Sequence, residues 1–262
     1  MADDIVLEHR DGIATVILNR PKQRNAIGYE GWLELRRVAE ELAKDDEARV
    51  VVLTGAGDDA FSAGADIKDF DRYRTDSAQA RAYQAAFEAA TDAIEALPMP
   101  TICLIKGFCI GGGCELTLSA DLRIAADNGR FGIPAARLGI VIGHQEMRRL
   151  VRLVGPGNAS YILLSARIVD AGEALRMGLV NAVIPLADSE EYVYSLAREM
   201  ADLAPLSHRR HKQVLRKYLL DPSLATLTPE EQDLPFANFD SEDFHEGRRA
   251  FLERRKPHFK GC

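Results

Sequence analysis

The sequence offers little that would take the protein into a membrane or onto nucleic acid. It has no apolar run of about 20 residues, the length needed to cross a bilayer, and 40 aspartates and glutamates outnumber 33 lysines and arginines. A net charge of −7 argues against nucleic acid as the main partner, although basic residues cluster locally over 208–217. The first residues are acidic and lead directly into a predicted strand, so we expect no signal or transit peptide.

Cysteines are few, and their spacing does not suggest a cysteine-based site. Cys103, Cys109, Cys114 and Cys262 form neither a Cys-x-x-Cys pair nor a pairing with histidine, so we expect no metal site. Three of them lie in the apolar centre of the chain, where cysteine usually behaves as a small buried hydrophobe. We therefore expect a soluble protein of a reducing, cytoplasmic compartment.

The chain is organised around the glycine-rich stretch Gly107–Leu116, which joins a predicted buried strand at 101–105 to a predicted helix at 114–120. Backbone N–H groups at such a junction can approach a ligand closely, and the first turn of a helix favours negative charge. Glu115 adds a carboxylate one turn into the helix. The stretch thus suits proton transfer beside a developing oxyanion. Close packing of strand against helix explains the glycines equally well.

Strands and helices alternate along most of the sequence, which predicts an α/β fold. A hairpin is expected at Asp11-Gly12, a long helix over 29–44, a buried strand over 49–54 and an alanine-rich helix over 77–97. From about residue 187 the pattern becomes helical and more polar. We therefore predict a core of residues 1–186 and a helical segment, 187–262, that serves oligomerisation and closure of the active site.

Two motifs imitate other enzyme classes. Gly55-Ala56-Gly57 follows a strand like a dinucleotide-binding fingerprint, but a small-residue loop over 61–68 follows where that motif needs a helix. Ser62 lies outside any Gly-x-Ser-x-Gly elbow, so a serine hydrolase is poorly supported.

Four motifs in order resemble the crotonase superfamily, the enoyl-CoA hydratase/isomerase group, over nearly the whole chain. They are Val52-Leu53-Thr54-Gly55 with 60–68, Gly111-Gly112-Gly113-Cys114-Glu115-Leu116 with 121–125, Phe131-Gly132-Ile133-Pro134, and 171–183 around Met177-Gly178-Leu179. The resemblance implies a crotonase-like spiral of ββα units with a helical C-terminal segment, assembled as trimers or paired trimers. It also implies a coenzyme A thioester as the substrate and no separate cofactor.

The resemblance also implies roles for individual residues. Glu115 is the catalytic carboxylate, and the backbone N–H groups of Ala65 and Gly112 hold the thioester oxygen. Phe259 and Lys260 match a C-terminal segment that can close over the nucleotide. The remaining substrate-binding positions are Arg24, Ala26, Ala63, Asp66, Ile67, Ile110, Gly111, Ala135, Leu138 and His144.

The chain departs from the family at the second glutamate that hydratases carry, because that position is Ala135. Where relatives have a small glycine-rich run, this sequence reads Gly143-His144-Gln145-Glu146. Either His144 or Glu146 can replace the missing group. For Glu146, the sequence favours a surface pair with Arg149 in the first turn of a helix.

These features predict an acyl-CoA enzyme in which Glu115 moves a proton, as a hydratase or as a double-bond isomerase. A single carboxylate suffices to move a double bond, whereas hydration also needs a base for water, so Ala135 counts against hydration. Decarboxylation or hydrolysis of an acyl-CoA is an alternative on the same scaffold, and so is a binding or assembly protein without catalysis.

Overall fold

The computed structural model describes residues 4–262, in which strands and helices are interspersed up to Ile184 and only helices follow. The strands are β1 (Ile5–Arg10), β2 (Ile13–Leu18), β3 (Val50–Gly55), β4 (Ala60–Ser62), β5 (Thr101–Ile105), β6 (Phe108–Ile110), β7 (Leu122–Ala126), β8 (Arg130–Gly132), β9 (Val169–Asp170) and β10 (Ala182–Ile184). The helices are α1 (Tyr29–Leu42), α2 (Phe70–Tyr73), α3 (Ser77–Glu95), α4 (Gly112–Thr117), α5 (His144–Ser165), α6 (Ala171–Met177), α7 (Leu186–Ala201), α8 (Pro205–Leu220), α9 (Pro229–Ala237) and α10 (Glu242–Glu253).

The strands form two sheets, and successive units of the chain add one strand to each sheet. The larger sheet has the order β1-β2-β3-β5-β7-β10, and the smaller has the order β4-β6-β8-β9. Each repeat sends its first strand to the large sheet and its second to the small one, and then returns through a helix. The units β3-β4-α3, β5-β6-α4 and β7-β8-α5 therefore stack, with parallel pairing between successive strands of each sheet. The expected spiral of ββα units is confirmed.

This stacking brings three loops together. Because β4, β6 and β8 are parallel neighbours, their carboxyl ends lie at one edge of the small sheet. The segments that leave this edge are 63–65, 111–112 and 133–135. All three contain residues that the sequence assigned to substrate binding.

The large sheet is covered on both faces. Helices α1 and α3 bury an aromatic cluster that includes Trp32, Tyr83 and Phe87. On the other face, α7 packs Val193 and Ala197 against strand residues such as Ile102, Leu104 and Ile124. The first helix beyond residue 186 thus packs on the chain's own sheet, whereas α8 and α9 bury no residue. The division of the chain at 186/187 stays a prediction.

Three element boundaries differ from the sequence predictions. Helix α4 begins at Gly112, two residues before the predicted start, and ends at Thr117. The spacing of Met147, Leu150 and Val154 predicts a helix that Gly155-Pro156 ends. The helix does break there, with Gly155 at φ 74° and ψ 165°, but it resumes at once and continues to Ser165. The apolar run 179–184 predicts a strand, and the structure confines that strand to Ala182–Ile184.

Candidate active site

A cavity of about 290 Å³ opens where the three loops meet. Two glycines shape its rim. Gly64 has φ +96° and Gly111 has φ +53°, conformations that residues with a side chain rarely adopt. A Cβ on Gly64 would also lie 2.6 Å from the Ile110 carbonyl oxygen, so the 63–65 and 111–112 loops can pack together only with glycine at this position.

Two of the central glycines, Gly112 and Gly113, serve different roles, one in ligand access and the other in close packing of strand against helix. Gly113 packs, because a Cβ there would lie 2.6 Å from the Ser62 Cβ. Gly112 instead faces the cavity, where a Cβ would lie 3.7 Å from the Ala65 nitrogen and 3.4 Å from a Trp32 ring carbon. Packing and ligand access are therefore served by adjacent residues of one turn.

Two backbone N–H groups at the rim are available to a ligand. Around Ala65, the Ile27 N–H donates to the Gly64 carbonyl at 2.8 Å and the Asp66 N–H donates to the Ile27 carbonyl at 3.0 Å, which leaves the Ala65 N–H unused. Gly112 is the first residue of α4, where no intrahelical acceptor exists. Within residues 4–262, neither N–H has an acceptor. Two adjacent unused donors suit an oxygen that gains negative charge.

Glu115 is half-buried and lines the same cavity, one helical turn after Gly112. Burial raises the pKa of its carboxyl to about 8, and the nearby Glu146 carboxylate adds to the increase, whereas the Arg74 guanidinium opposes it. A carboxyl with a pKa near neutrality can both release and accept a proton at physiological pH. Of the carboxyls predicted from sequence, Glu115 has the environment of an acid/base group.

The structure overturns the predicted surface position of Glu146. Its side chain is 1% exposed and lines the cavity together with Ala135, while Arg149 is also buried. The reason lies in the N-cap of α5, where Gly143 has no side chain and lets the Glu146 carboxylate fold back over it. His144, the other candidate to replace the missing glutamate, is exposed and does not line the cavity.

Arg74 brings positive charge into the site. It follows α2, lines the cavity, and stacks over the Tyr83 ring at 4.2 Å and the Phe70 ring at 4.9 Å. Its guanidinium has no ion-pair partner among the described residues. No sequence motif points to this arginine, because it lies in a short polar link between helices.

The structure separates the predicted substrate-binding residues into two groups. Six of them line the cavity: Ala63, Ile67, Ile110, Gly111, Ala135 and Leu138. Arg24, Ala26, Asp66, His144, Phe259 and Lys260 do not line it.

The residues outside the cavity have other contacts in this chain. Arg24 stacks over the Phe108 ring at 4.9 Å, and Asp66 accepts a hydrogen bond from Arg20 at 2.9 Å.

At the C-terminus, the Phe259 carbonyl accepts from Arg49 at 3.2 Å, and the Lys260 N–H donates to Asp243 at 2.8 Å. Arg49 stands at the amino end of β3, whereas the cavity forms at carboxyl ends of strands. Closure over a nucleotide by these residues stays a prediction.

Sequence reasoning missed the aromatic wall of the cavity. Trp32, Tyr83 and Phe87 follow helical spacing, which predicts core, and they are buried in the core. Yet they also line the cavity, where the Trp32 Nε1–H donates to the Tyr83 hydroxyl at 2.9 Å. A periodic stripe of apolar residues cannot show that its buried face borders an open space.

Within residues 4–262, no helix is long and apolar enough to cross a membrane.

The chain is similar to known proteins over almost its whole length. A family model described as Enoyl-CoA hydratase/isomerase matches residues 8–262. The short-chain-enoyl-CoA hydratase of Clostridium acetobutylicum is 35% identical over 257 residues, covering 97% of this chain and 96% of that protein. The crotonyl-CoA hydratase of Syntrophomonas wolfei is 35% identical over 260 residues and 98% of each chain. A solved enoyl-CoA hydratase/carnithine racemase from Magnetospirillum magneticum has a TM-score of 0.96 at 38% identity, covering 100% of this chain and 97% of that one.

Proposed function

The chain belongs to the enoyl-CoA hydratase/isomerase family and is an enzyme of that type, and we propose that it moves a proton at the α-carbon of an enoyl-CoA thioester. The observation that carries this proposal is the Glu115 carboxyl, whose pKa is raised to about 8 one helical turn from the unused Gly112 N–H. Both groups face one cavity.

In the proposed mechanism, the thioester carbonyl oxygen accepts hydrogen bonds from the N–H groups of Ala65 and Gly112. Adding or removing a proton at the α-carbon passes through an enolate-like species whose charge lies on that oxygen. One such donor is worth roughly 3–4 kcal/mol in other enzymes. Glu115 supplies or takes the proton, which contributes on the order of 10²–10⁴-fold.

Two reactions fit this arrangement, hydration of a 2-enoyl-CoA and migration of a double bond from the 3- to the 2-position. The relatives named above as hydratases support the first. The alanine at position 135 removes the family's second carboxylate and, taken alone, supports the second.

Incubation with 2-enoyl-CoA and, separately, 3-enoyl-CoA in D₂O tests the proposal. Gain of one water identifies hydration, and conversion between the enoyl isomers without added water identifies isomerisation. The Glu115→Gln variant is the control, and it should lose whichever reaction the wild type performs. Full activity in that variant would refute the role of Glu115. Inactivity of the wild type on both substrates would favour another acyl-CoA reaction or a binding role.

We further propose that the reaction needs no cofactor, because the thioester itself stabilises the α-carbanion and the proton moves between protein and substrate. Activity should survive exhaustive dialysis against a chelator. A loss that divalent metal restores would contradict this proposal.

The expected trimer or pair of trimers is also a proposal. It is supported by large apolar side chains that α8 and α10 leave exposed, among them Leu215, Tyr218, Leu220, Phe251 and Leu252. Light scattering on the purified protein should give a mass of three or six chains of 28.9 kDa. A monomer at micromolar concentration would contradict it.

A further inference from the structure

The cavity holds a second carboxylate in addition to Glu115. Glu146 lies in the first turn of α5 and is 1% exposed, and its Oε1 atom has no hydrogen-bond partner among the described residues. A buried carboxylate oxygen without a partner is costly, because it has lost its hydration without replacement. Such an atom at the wall of a substrate cavity indicates that a ligand or a water completes its environment.

The position of this carboxylate is fixed by its other oxygen. Oε2 accepts a hydrogen bond from Gln84 Nε2 at 3.0 Å, and Gln84 also donates to Glu88 at 3.0 Å. A Cβ on Gly143 would lie 2.2 Å from the same Oε2 atom, so only glycine at the N-cap leaves room for the carboxylate. The side chain is thereby held with Oε1 free.

A structural ion pair with Arg149 does not account for Glu146. The Arg149 guanidinium bonds Glu95 and Asp92 at 2.5 Å and Thr91 at 3.0 Å. Its Nη1 lies 3.8 Å from Glu146 Oε1, which is too long for a hydrogen bond. Arg149 therefore compensates the charge of Glu146 only partly, and its hydrogen bonds go to other residues.

The surroundings raise the pKa of both cavity carboxyls. Burial raises the pKa of Glu146, and Glu88 on α3 adds to the increase, but Arg149 on α5 and the Gln84 hydrogen bond lower it. For Glu115 on α4, burial and the charge of Glu146 raise the pKa to about 8. Because the charge of the Glu146 carboxylate raises the pKa of Glu115, the pair suits one ionised base and one protonated acid.

We infer that Glu146 is the general base that activates water for addition to the enoyl thioester, in place of the carboxylate missing at position 135. This inference rests on the proposed function. Ala135 lines the same cavity. The base has moved from the segment after β8 to the first turn of α5. The reaction so assigned is hydration.

In this reaction the Glu146 carboxylate takes a proton from water as the water oxygen bonds to the β-carbon of the substrate. The π electrons of the double bond move toward the thioester, and the carbonyl oxygen gains charge beside Ala65 and Gly112. Protonated Glu115 then delivers its proton to the α-carbon. The product is a 3-hydroxyacyl-CoA, and proton exchange with solvent restores both carboxyls.

The test compares hydration of a 2-enoyl-CoA with isomerisation of a 3-enoyl-CoA in the same variants. Glu146→Gln should lower kcat for hydration by roughly 10²–10⁴-fold and retain most of the isomerisation, which needs only Glu115. Because Glu146 also raises the pKa of Glu115, the pH dependence of isomerisation should shift to lower pH in this variant. A merely structural role would instead lower both reactions together.

Glu173→Gln provides a matched control. Glu173 occupies the same helical position in α6 and pairs with Arg176 three residues on at 3.1 Å, but it does not line the cavity. This variant should retain both reactions. The double variant Ala135→Glu/Glu146→Gln returns a carboxylate to the family position, and it should recover hydration.

The outcomes are distinct. Unchanged hydration in Glu146→Gln, or an equal loss of both reactions, would overturn the inference. A wild type that isomerises but never hydrates would also overturn it while leaving the proposed function standing. A wild type inactive on both substrates would overturn the proposed function itself.

Discussion

Two buried glutamates, Glu146 near the middle of the sequence and Glu246 near its end, share one local pattern and have opposite environments. Glu146 precedes Arg149 by three residues, and Glu246 precedes Arg249 by three. In α5 the carboxylate keeps one oxygen without a partner and burial raises its pKa. In α10 hydrogen bonds from arginines hold the pKa of Glu246 well below its usual range.

The difference lies in how many donors reach each carboxylate. Glu246 accepts from Arg255 at 2.6 and 3.0 Å, from Arg249 at 2.5 Å and from the His258 N–H at 3.0 Å. Glu146 has a single donor from another side chain, Gln84. A satisfied carboxylate ties chain segments together, whereas a buried oxygen without a partner lacks a hydrogen bond that a ligand or water can supply. The hydrogen-bond inventory therefore separates a structural glutamate from a candidate catalytic one.

The largest expected effect comes from removing the acid/base group of the cavity. Glu115→Gln should lower kcat for hydration and isomerisation alike, by roughly 10²–10⁴-fold, in steady-state assays. Since the folded-state pKa of Glu115 lies above its unfolded value, wild-type stability falls as pH rises from about 4.5 toward about 8. The glutamine variant should lack this loss of stability, so the difference between its Tm and that of the wild type should grow in its favour as pH rises. A lower Tm than wild type at pH 9 would contradict it.

The kcat/KM values of hydration and isomerisation should change in opposite directions with pH. Hydration uses protonated Glu115, so its kcat/KM should fall as pH rises through about 8. Isomerisation begins with the carboxylate form, so its kcat/KM should rise through the same pH. Measuring both substrates across this range on one protein preparation checks the assignment. Parallel profiles for the two substrates would contradict separate roles for acid and base.

These contrasts mark where sequence reasoning ends. The alternation of elements, the glycine turn and the Glu115 position could be predicted, because each depends on local spacing or on a family motif. The sequence also identified the gap at Ala135. It placed Glu146 on the surface, because a Glu-x-x-Arg pair in a first turn has the same appearance whether the helix begins in solvent or against a cavity. Only the packing of α5 on α3 decides between them.

A smaller effect is expected at the satisfied carboxylate. Glu246→Gln should lower the Tm by a few degrees near neutral pH without changing kcat, because the site is remote from the cavity lining. The folded-state pKa of Glu246 is depressed, so its contribution is present above the usual value of 4.5 and is lost as pH falls below it. The Tm difference from wild type should therefore shrink in acid. A difference that grows in acid would contradict the structural role.

The smallest effect concerns the cation that faces Glu115. Arg74→Met should raise the pKa of Glu115 further, because the guanidinium now favours the ionised carboxylate. The fall of kcat/KM for hydration at alkaline pH should then move to higher pH by about one pH unit or less. Arg72→Met is the matched control, since Arg72 also stacks on a tyrosine, Tyr73 at 4.9 Å, but does not line the cavity. An equal displacement in both variants would show that stacking, and not charge beside Glu115, determines the profile.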